Sequence, residues 1–437
     1  MNRGCPPPRR RRPWSTLASW TRWSRWTLRT LAERYQSPLH DTRNAAWLGL
    51  ALGVSFTVCF LTGLWSHLAQ DPPGWFTYPA RPAGLYRITQ GLHVVSGMAS
   101  VPLLLAKLWV VHPRLVQWPP ARSALHAVER VTLVPLVGGG LFMLLSGAAN
   151  VARWYPWTFF FPRAHFWVAW ITIGALAVHV GAKAAAARDA LRRSGRPDAA
   201  AARPGAGPHV VEGGPALEVV RPQGQAVAPM LASSEATPRD RRAFLGGVAV
   251  ASGALAVATA GGTVSPLSAV SVLAQRRPSL GPQGIPVNKS AAGADVLETA
   301  RDPGYRLVVD GAVSRRIELS LAELRALPQR SAELPIACVE GWSASAEWRG
   351  VPVRDLLDLA GIDDRADATA IVESLQPRGR YRRSELNPGQ IADHDTLLAV
   401  EVNGDPLHID HGFPVRLVGP NRPGVLQTKW VSRLLVR

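Results

Sequence analysis

Cysteine is the residue that this sequence has least of. The 437 residues contain only Cys5, Cys59 and Cys338, too few and too scattered for a framework of disulfide bonds. Acidic residues are also few, 31 Asp and Glu against 49 Lys and Arg, and charged residues together make up 18% of the chain. Soluble domains carry ~25% charged residues. The first ~185 residues contain long apolar runs whereas the last ~150 resemble a soluble domain, so a single soluble enzyme is excluded. The hydrophobic content of 47% excludes a disordered or fibrous chain.

The excess of basic residues gives a formal net charge of +18, which raises the question of a nucleic-acid partner. The basic clusters, however, lie beside apolar runs, as in Arg9–Arg12 and Arg188–Arg196. Basic residues in that position orient a membrane protein, because positive loops stay on the cytoplasmic side. We therefore expect a multi-pass protein of the cell membrane that contacts lipid, and no nucleic-acid partner.

Four apolar runs in the first half of the chain are each about as long as the ~20 residues that a helix needs to cross a bilayer. They lie at 45–67, 88–111, 131–149 and 163–183. The segments 112–130 and 184–196 carry basic residues, whereas 68–87 and 150–162 are rich in aromatic residues and proline. This alternation predicts a cytoplasmic amino terminus and an all-α four-helix transmembrane bundle.

A fifth apolar run, 246–273, consists mainly of small residues and follows Arg239, Arg241 and Arg242. A pair of arginines ahead of such a run resembles the twin-arginine export signal. An ordinary fifth span with a basic flank is the alternative. Both interpretations place the carboxy-terminal domain outside the cytoplasm, and the first predicts the twin-arginine export machinery as a partner.

These features predict a multi-domain chain with six parts. The parts are a basic cytoplasmic arm (1–44) that contains Trp14, Trp20, Trp23 and Trp26, a four-helix membrane domain (45–187), a cytoplasmic linker (188–238), the export signal with a fifth transmembrane helix (239–273), an extracytoplasmic linker (274–299) and a soluble domain (300–437).

The soluble domain has the local signals of an α+β fold. Apolar runs end in Asp310-Gly311 and in Asn403-Gly404, which are strong signals for β-hairpins. Ser320-Leu321-Ala322-Glu323 has the spacing of a helix capping box. Val353 to Ala360 is predicted as a second short helix that Gly361 ends. Strands mixed with short helices over ~140 residues are typical of an α+β domain.

Seven of the 11 histidines precede residue 190. Ionisable residues inside a bilayer are costly and usually functional. His165 and His179 lie on one predicted helix, 14 residues apart, which is close to four turns of ~3.6 residues and ~21 Å at ~1.5 Å per residue. One helix can therefore ligate two haems, one near each face of the membrane. Two axial imidazoles on one iron are typical of an electron carrier.

The partners of these two histidines are predicted from their depth in the membrane. His93, a few residues inside the outer end of the second span, is the predicted partner of His165, and His67 is the other outer histidine. The inner partner of His179 stays open, because three histidines lie at or beyond inner span ends. They are His40, His112 and His126.

The four spans resemble the bis-histidine cytochrome b subunits of formate dehydrogenases and hydrogenases over residues 38–187. The resemblance is carried by His93, His165, His179 and the pair Thr62-Gly63. It implies one or two haems b and electron exchange with quinone or quinol in the membrane. In that family a first-helix histidine binds the inner haem, which implies His40 here.

Cys338 ends an apolar stretch and precedes the polar turn Val339-Glu340-Gly341. A lone cysteine is usually a small core residue, but a thiolate is also a ligand for soft or high-valent metals. No cluster of Cys and His surrounds Cys338 in the sequence, so a zinc or iron–sulfur site is not expected. A single thiolate suffices where an organic cofactor supplies the other ligands.

The segment from Cys338 to Pro352 resembles the molybdopterin-binding domain of the sulfite oxidase superfamily, in particular the catalytic subunit of the exported methionine sulfoxide reductase. The resemblance covers about residues 300–437, because three further stretches match. They are His411 to Leu417, Pro420 to Gly424 and Lys429-Trp430. The resemblance implies that Cys338 is the catalytic residue and ligates molybdenum. It also implies a molybdopterin site contacted by Gly412, Arg416, Gly424 and Lys429.

The two resemblances together imply a membrane-anchored molybdenum-dependent oxidoreductase that transfers an oxygen atom, as in the reduction of a sulfoxide. Sulfite is not the expected substrate, because Gly341, Trp342 and Ser343 stand where sulfite oxidases have an Asn-Arg pair soon after the ligand cysteine. A basic loop around Tyr381 either lines an anion pocket or is solvated. Its arginines are Arg378, Arg380, Arg382 and Arg383. The alternative function is a non-enzymatic membrane anchor or receptor that keeps the fold without the metal.

Overall fold

The computed structural model describes residues 37–115, 124–192, 236–362 and 367–437. The predicted basic arm up to residue 36, with its four tryptophans, lies outside these residues, as does nearly all of the predicted linker. The chain forms two compact units. The first contains the described residues within Met1–Leu50, Leu104–Thr132 and Val178–Val248, and the second contains those within Ala51–Leu103, Leu133–Ala177 and Ala249–Arg437.

Five long helices occur at the positions of the five predicted apolar runs. They are α1 (Thr42–Gln70), α2 (Leu85–Leu115), α3 (Ala124–Val151), α4 (Phe161–Arg192) and α5 (Pro238–Ala260). All five contain stretches that are long and apolar enough to cross a membrane, judged by length and composition. The first four extend beyond the predicted apolar runs at both ends. His165 and His179 lie on one helix, α4, as predicted.

Helix α5 ends at Ala260, earlier than the predicted apolar run, which continues to residue 273. The chain folds back here: the backbone N–H of Gly261 donates to Ser271 Oγ at 2.7 Å. A Cβ at Gly261 would lie 2.5 Å from that oxygen. Glycine therefore permits the close return of the chain, and this return ends the helix.

The carboxy-terminal part of the second unit contains two five-stranded sheets and several short helices. The strands are β1 (Arg306–Gly311), β2 (Ile317–Ser320), β3 (Arg330–Ala337), β4 (Ser343–Pro352), β5 (Ala370–Ser374), β6 (Arg383–Leu386), β7 (Leu397–Val402), β8 (Asp405–Pro406), β9 (Arg416–Val418) and β10 (Val431–Val436). The helices are α6 (Ala291–Ala294), α7 (Leu297–Arg301), α8 (Leu321–Ala326), α9 (Val353–Leu359) and α10 (Pro388–Ala392). The order is β2-β1-β10-β5-β6 in the first sheet and β3-β4-β7-β8 in the second, where β9 also pairs with β7. The predicted α+β class is confirmed.

The local signals in the sequence have the predicted structures. β1 pairs with β2, and β7 pairs with β8 across the turn Asn403-Gly404, whose φ angles are 50° and 86°. Ser320 and Glu323 form a capping box at the start of α8. Helix α9 is followed by Gly361, which has a φ of 70°.

The main core of this part contains residues of both sheets and of α9, including Val309, Leu356, Val400, Leu417 and Leu434. A second cluster packs around Trp348, which is fully buried, and includes Ile336, Cys338 and Leu397. Strand β3 pairs along its full length with residues 343–350 of β4, from Arg330↔Gly350 to Ala337↔Ser343. The turn between them, residues 338–342, is therefore held at the end of a well-packed hairpin.

The loop between α1 and α2 packs against this sheet part within the second unit. Asn421 accounts for three contacts: its Nδ2 donates to the carbonyl of Pro79 at 2.7 Å, its Oδ1 accepts from the backbone N–H of Tyr86 at 2.7 Å, and its own N–H donates to Ala83 at 3.0 Å. Arg81 adds a bidentate contact to Asp393, at 2.7 and 2.9 Å. The helix segments and the sheets of the second unit are thus joined by specific polar contacts.

Candidate functional site

Cys338 stands directly after β3, at the first position of the turn to β4. Its backbone N–H donates to the carbonyl of Trp342 at 2.8 Å, and its carbonyl accepts from Gly341 at 3.1 Å. Gly341 has a φ of 84°, a conformation that disfavours residues with a side chain. The side chain of Cys338 is buried, with a relative exposure of 2%. The turn therefore fixes the direction of the thiol.

Charged residues surround this turn. The carboxylate of Glu340 accepts from Arg276 at 2.7 Å and from the indole N–H of Trp342 at 3.1 Å, and Arg153 lies 3.7 Å away. Burial, followed by the charge of Glu340, raises the pKa of Cys338 to about 12, although Arg276 and Lys429 act in the opposite direction. The thiol therefore stays protonated at neutral pH unless a metal ion replaces the proton.

Three of the predicted cofactor residues lie together. Gly412 has a φ of 114°, and a Cβ there would lie 3.1 Å from Lys429 Cα and 3.2 Å from Arg416 Cβ. Lys429 Nζ donates to the carbonyls of Lys289 and Asp410, at 2.9 and 2.7 Å. The structure thus brings Gly412, Arg416 and Lys429 together.

Arg416 and Lys429 are buried, and no carboxylate of the described residues forms an ion pair with either of them. Arg416 and Lys429 have relative exposures of 3% and 7%. Burial lowers the pKa of Arg416 to about 9; burial and then repulsion from Arg416 lower the pKa of Lys429 well below its usual value, against the influence of Asp410. Arg416 Nε and His411 Nδ1 are buried and have no hydrogen-bond partner within the described residues. Such a cluster suits an anionic ligand, because unpaired buried charge is costly.

Gly424, the fourth predicted cofactor residue, packs against β3. A Cβ at Gly424 would lie 2.9 Å from the carbonyl oxygen of Ala337, the residue that precedes Cys338. The protein backbone itself therefore requires glycine at this position.

The neighbouring Arg422 was not identified from the sequence, although it lies inside the matching stretch. It is buried and donates to the carbonyls of Glu385 and Leu426 and to the side chain of Gln390. Burial lowers its pKa to about 10. The only signal in the sequence was its position inside the stretch Pro420 to Gly424, which matches the family.

The basic loop around Tyr381 is exposed rather than folded into an anion pocket. Arg380 pairs with Asp71 at 3.2 Å, and its guanidinium lies 5.4 Å from the ring centre of Phe160. Arg383 pairs with Glu373 at 2.7 Å. Two of the four arginines thus already have carboxylate partners.

A second site is a cavity among the segments of α1 to α4 that belong to the second unit. His93 and His165 both line it, and their ring centres are 6.2 Å apart with ring planes at 80°. A metal–imidazole bond is about 2 Å long. If one metal ion lay between the rings, the distance between the ring centres would be the sum of two such bonds and of the two distances from a ring nitrogen to its ring centre. This sum is close to the observed separation of 6.2 Å. The predicted pair therefore has room for one metal ion between its rings.

Hydrogen bonds orient both rings. His93 Nδ1 lies 2.8 Å from the carbonyl oxygen of Cys59, and His165 Nδ1 lies 3.2 Å from Ser146 Oγ. These contacts leave Nε2 of each ring for a metal, in the way that neighbouring groups orient metal-binding histidines. A Cβ at Gly63 would lie 2.7 Å from His93 Cε1, so glycine makes room for this ring.

The other candidate histidines have different surroundings. His67 also lines the cavity, but it stacks on Phe166 with ring centres 3.7 Å apart. In the first unit, His40 lies edge-on to His112, with ring centres 4.9 Å apart. His179 lies close enough to Lys107, Lys183 and Glu129 to interact with their charges, and His126 also interacts electrostatically with Glu129. The structure thus groups His179 with charged side chains, and an inner haem stays a prediction.

Three residues between the two sites were not singled out from the sequence. Val339, the residue after Cys338, lines the cavity that contains His93 and His165. Its carbonyl oxygen accepts from Asn150 Nδ2 at 2.9 Å and from Gln90 Nε2 at 3.4 Å. Two amide side chains near the ends of apolar spans were the available signal, because buried polar groups need partners.

Comparison with known proteins identifies a family for the carboxy-terminal part of the chain. Residues 294–437 match the family model of the oxidoreductase molybdopterin binding domain. Three curated relatives are similar to parts of the chain. They are the "Putative protein-methionine-sulfoxide reductase subunit YedZ1" of Azospira oryzae (33% identical over 144 residues, 33% of this chain and 53% of the relative), the sulfite oxidase of Gallus gallus (34% over 158 residues, 30% and 34%) and the NADH nitrate reductase of Ulva prolifera (27% over 160 residues, 30% and 18%).

The matches with these relatives span about half the length of the first and about a third or less of the other two. The family match covers both sheets, the turn at Cys338 and the buried basic cluster. Residues 294–437 therefore form an oxidoreductase molybdopterin binding domain, in one chain with five helices that are long and apolar enough to cross a membrane.

Proposed function

We propose that this protein is a membrane-anchored, molybdenum-dependent oxidoreductase that reduces a sulfoxide-type substrate with electrons taken from quinol through haem b. One observation carries the proposal. The residue that follows Cys338 lines the cavity in which His93 and His165 face each other. The proposed thiolate ligand of a two-electron metal and the two proposed histidine ligands of a one-electron carrier would thus lie close together in one compact unit.

The residues around Cys338 fit a molybdopterin. Arg416 and Lys429 would hold its phosphate, because both are buried cations and Arg416 Nε lacks a partner within the described residues. Gly412 would let the backbone approach the pterin, and Gly424 holds the loop against β3. Cys338 would supply the protein ligand to molybdenum. The cofactor supplies two-electron oxygen-atom transfer when bound.

The residues of the cavity fit one haem b. His93 and His165 would bind its iron through Nε2, while the carbonyl of Cys59 and the hydroxyl of Ser146 hold the Nδ1 atoms of the two rings. Gly63 leaves space beside His93. A second haem on His179, with His40 as the partner that the family resemblance implies, is a further proposal.

The overall reaction balances without another reactant. Reduction of a sulfoxide takes two electrons and two protons and releases a sulfide and water, and oxidation of one quinol to quinone yields two electrons and two protons.

Lys429 and Arg416 would keep the cofactor's anionic end in place, and Glu340, held by Arg276, orients the turn that carries Cys338. The burial of Cys338 excludes water from the ligand sulfur.

The charge pattern of the loops supports a cytoplasmic amino terminus and an extracytoplasmic domain at 300–437. Arg241 and Arg242, at the start of α5, would act as a twin-arginine signal that exports the folded, cofactor-loaded domain.

Reporter fusions after Ala187 and after Arg437 should report cytoplasmic and extracytoplasmic locations, respectively. Changing both arginines to lysine should block only the last translocation. Any other pair of locations contradicts the five-span topology, and normal export of the double variant contradicts the signal.

Substituting the haem ligands tests the membrane half. His93→Ala and His165→Ala should each abolish the low-spin haem absorbance in the purified protein, because each removes one axial ligand. His67→Ala is the matched control, since His67 lines the same cavity but stacks on Phe166; it should keep the spectrum. Full α-band absorbance in both ligand variants would mean that these histidines are structural.

Substituting the molybdenum ligand tests the enzymatic half. Cys338→Ser should abolish sulfoxide reduction with an artificial electron donor, because serine offers a harder and more basic oxygen. Pterin content, the haem spectrum and folding should be retained, since the exchange is nearly isosteric and costs of order 1 kcal/mol. Lys429→Met and Arg416→Met should instead lower pterin content. A Cys338→Ser protein that turns over at the wild-type rate would rule out this residue as the ligand.

A further inference from the structure

The carbonyl group of Val339 joins the turn that carries Cys338 to two helices that line the histidine cavity. It accepts hydrogen bonds from Asn150 at 2.9 Å and from Gln90 at 3.4 Å. Gln90 precedes His93 by three residues on α2, so the two side chains lie about one helical turn apart. Asn150 lies next to the last residue of α3. Two helices that line the cavity thus hold one peptide group of the turn.

Both amides are buried and committed to this contact. Gln90 and Asn150 have relative exposures of 6% and 7%. The Oδ1 atom of Asn150 accepts from the hydroxyl of Tyr155 at 3.0 Å, which orients Nδ2 toward Val339. Burying an amide without a partner is costly. Each side chain therefore stabilises one position of the Val339 carbonyl.

The next residues of the turn are also held against the helices. A Cβ at Gly341 would lie 3.0 Å from Val94, the neighbour of His93. The carbonyl of Gly341 accepts from Thr263 Oγ1 at 3.0 Å. The turn therefore cannot move away from α2 without breaking several contacts.

We propose that the Cys338–Val339 peptide carries electrons between the molybdenum ligand and the haem, and that Asn150 and Gln90 are positioning residues that hold it at the cavity. The inference rests on the proposed function. Electron tunnelling slows steeply with distance and is faster through bonds than across gaps. A few covalent bonds join the Cys338 sulfur to the side chain and carbonyl of Val339, which lines the cavity. Electrons pass singly along this path, and no atom is transferred.

The test compares two ways of supplying electrons to the full-length holoprotein. In the first, the haem is reduced beforehand and its reoxidation by methionine sulfoxide is followed by stopped-flow absorbance. In the second, reduced methyl viologen supplies electrons for steady-state turnover without passing through the quinol site. In the Asn150→Leu/Gln90→Leu double variant, haem reoxidation should slow by about tenfold or more, because the loss of two buried hydrogen bonds lowers the fraction of molecules in which the turn is held at the cavity. Turnover with viologen and the haem spectrum should match those of the wild type.

Gln70→Leu is the matched control. Gln70 also lines the cavity and also donates its amide to a carbonyl, that of Ser66 at 3.2 Å, but among the described residues it has no hydrogen bond to the turn. It should leave haem reoxidation unchanged. Asn150→Asp, which keeps the size of the side chain but replaces the donating amide with an acceptor, should slow reoxidation as Asn150→Leu does.

Hydrogen–deuterium exchange provides a readout that does not depend on turnover. The backbone amides of 339–342 should exchange faster in the double variant than in the wild type and in Gln70→Leu. Equal haem reoxidation in the wild type and the double variant would overturn the proposal, and so would an equal loss of viologen-driven turnover. If the wild-type haem is not reoxidised by any sulfoxide, it is the proposed function that fails.

Discussion

The hydrogen bonds to the carbonyl of Val339 are the contact on which the rest of this arrangement depends. They join a turn of the molybdopterin binding domain to two helices that line the histidine cavity. Neither site needs the other for its own geometry: the β3–β4 hairpin fixes Cys338, and hydrogen bonds to Cys59 and Ser146 orient the two histidines. The contact at Val339 joins the turn that carries Cys338 directly to the helices of the cavity.

Other contacts within the second unit stabilise the same arrangement. Asn421 binds the loop between α1 and α2 through three hydrogen bonds, and Arg81 binds Asp393 in a bidentate contact. Glu340 joins the turn to Arg276, which follows α5. These contacts are polar and specific, so they set the register between helices and sheets in a way that apolar packing alone does not.

The sequence predicted those features that depend on local physics. Apolar length predicted the five helices, and Asn403-Gly404 and Ser320–Glu323 predicted a hairpin and a helix start. The position of His93 near one end of its span predicted its meeting with His165. In contrast, the early end of α5 depends on the return of Ser271 to Gly261, which joins residues of the apolar run itself. Periodicity and hydropathy do not register such a contact.

The polar residues between the sites could not be predicted, because their role exists only once the domain packs on the helices. Asn150 and Gln90 are ordinary polar residues near span ends until Val339 lies against them. The buried cluster of Arg416 and Lys429 likewise depends on the positive φ of Gly412, which brings distant strands together. Family resemblance identified these residues. The structure shows that they are buried and that, among the described residues, Arg416 Nε has no hydrogen-bond partner.

The central claim is that one chain conducts electrons from quinol to a sulfoxide. The most direct measurement is anaerobic absorbance spectroscopy of the purified wild-type protein, loaded with both cofactors, after addition of a quinol and then of methionine sulfoxide. The account predicts that the quinol reduces the haem and that the sulfoxide reoxidises it, with one sulfide formed for every two electrons withdrawn. A haem that quinol reduces but that stays reduced in excess sulfoxide, in protein that contains molybdenum and pterin, would contradict the account.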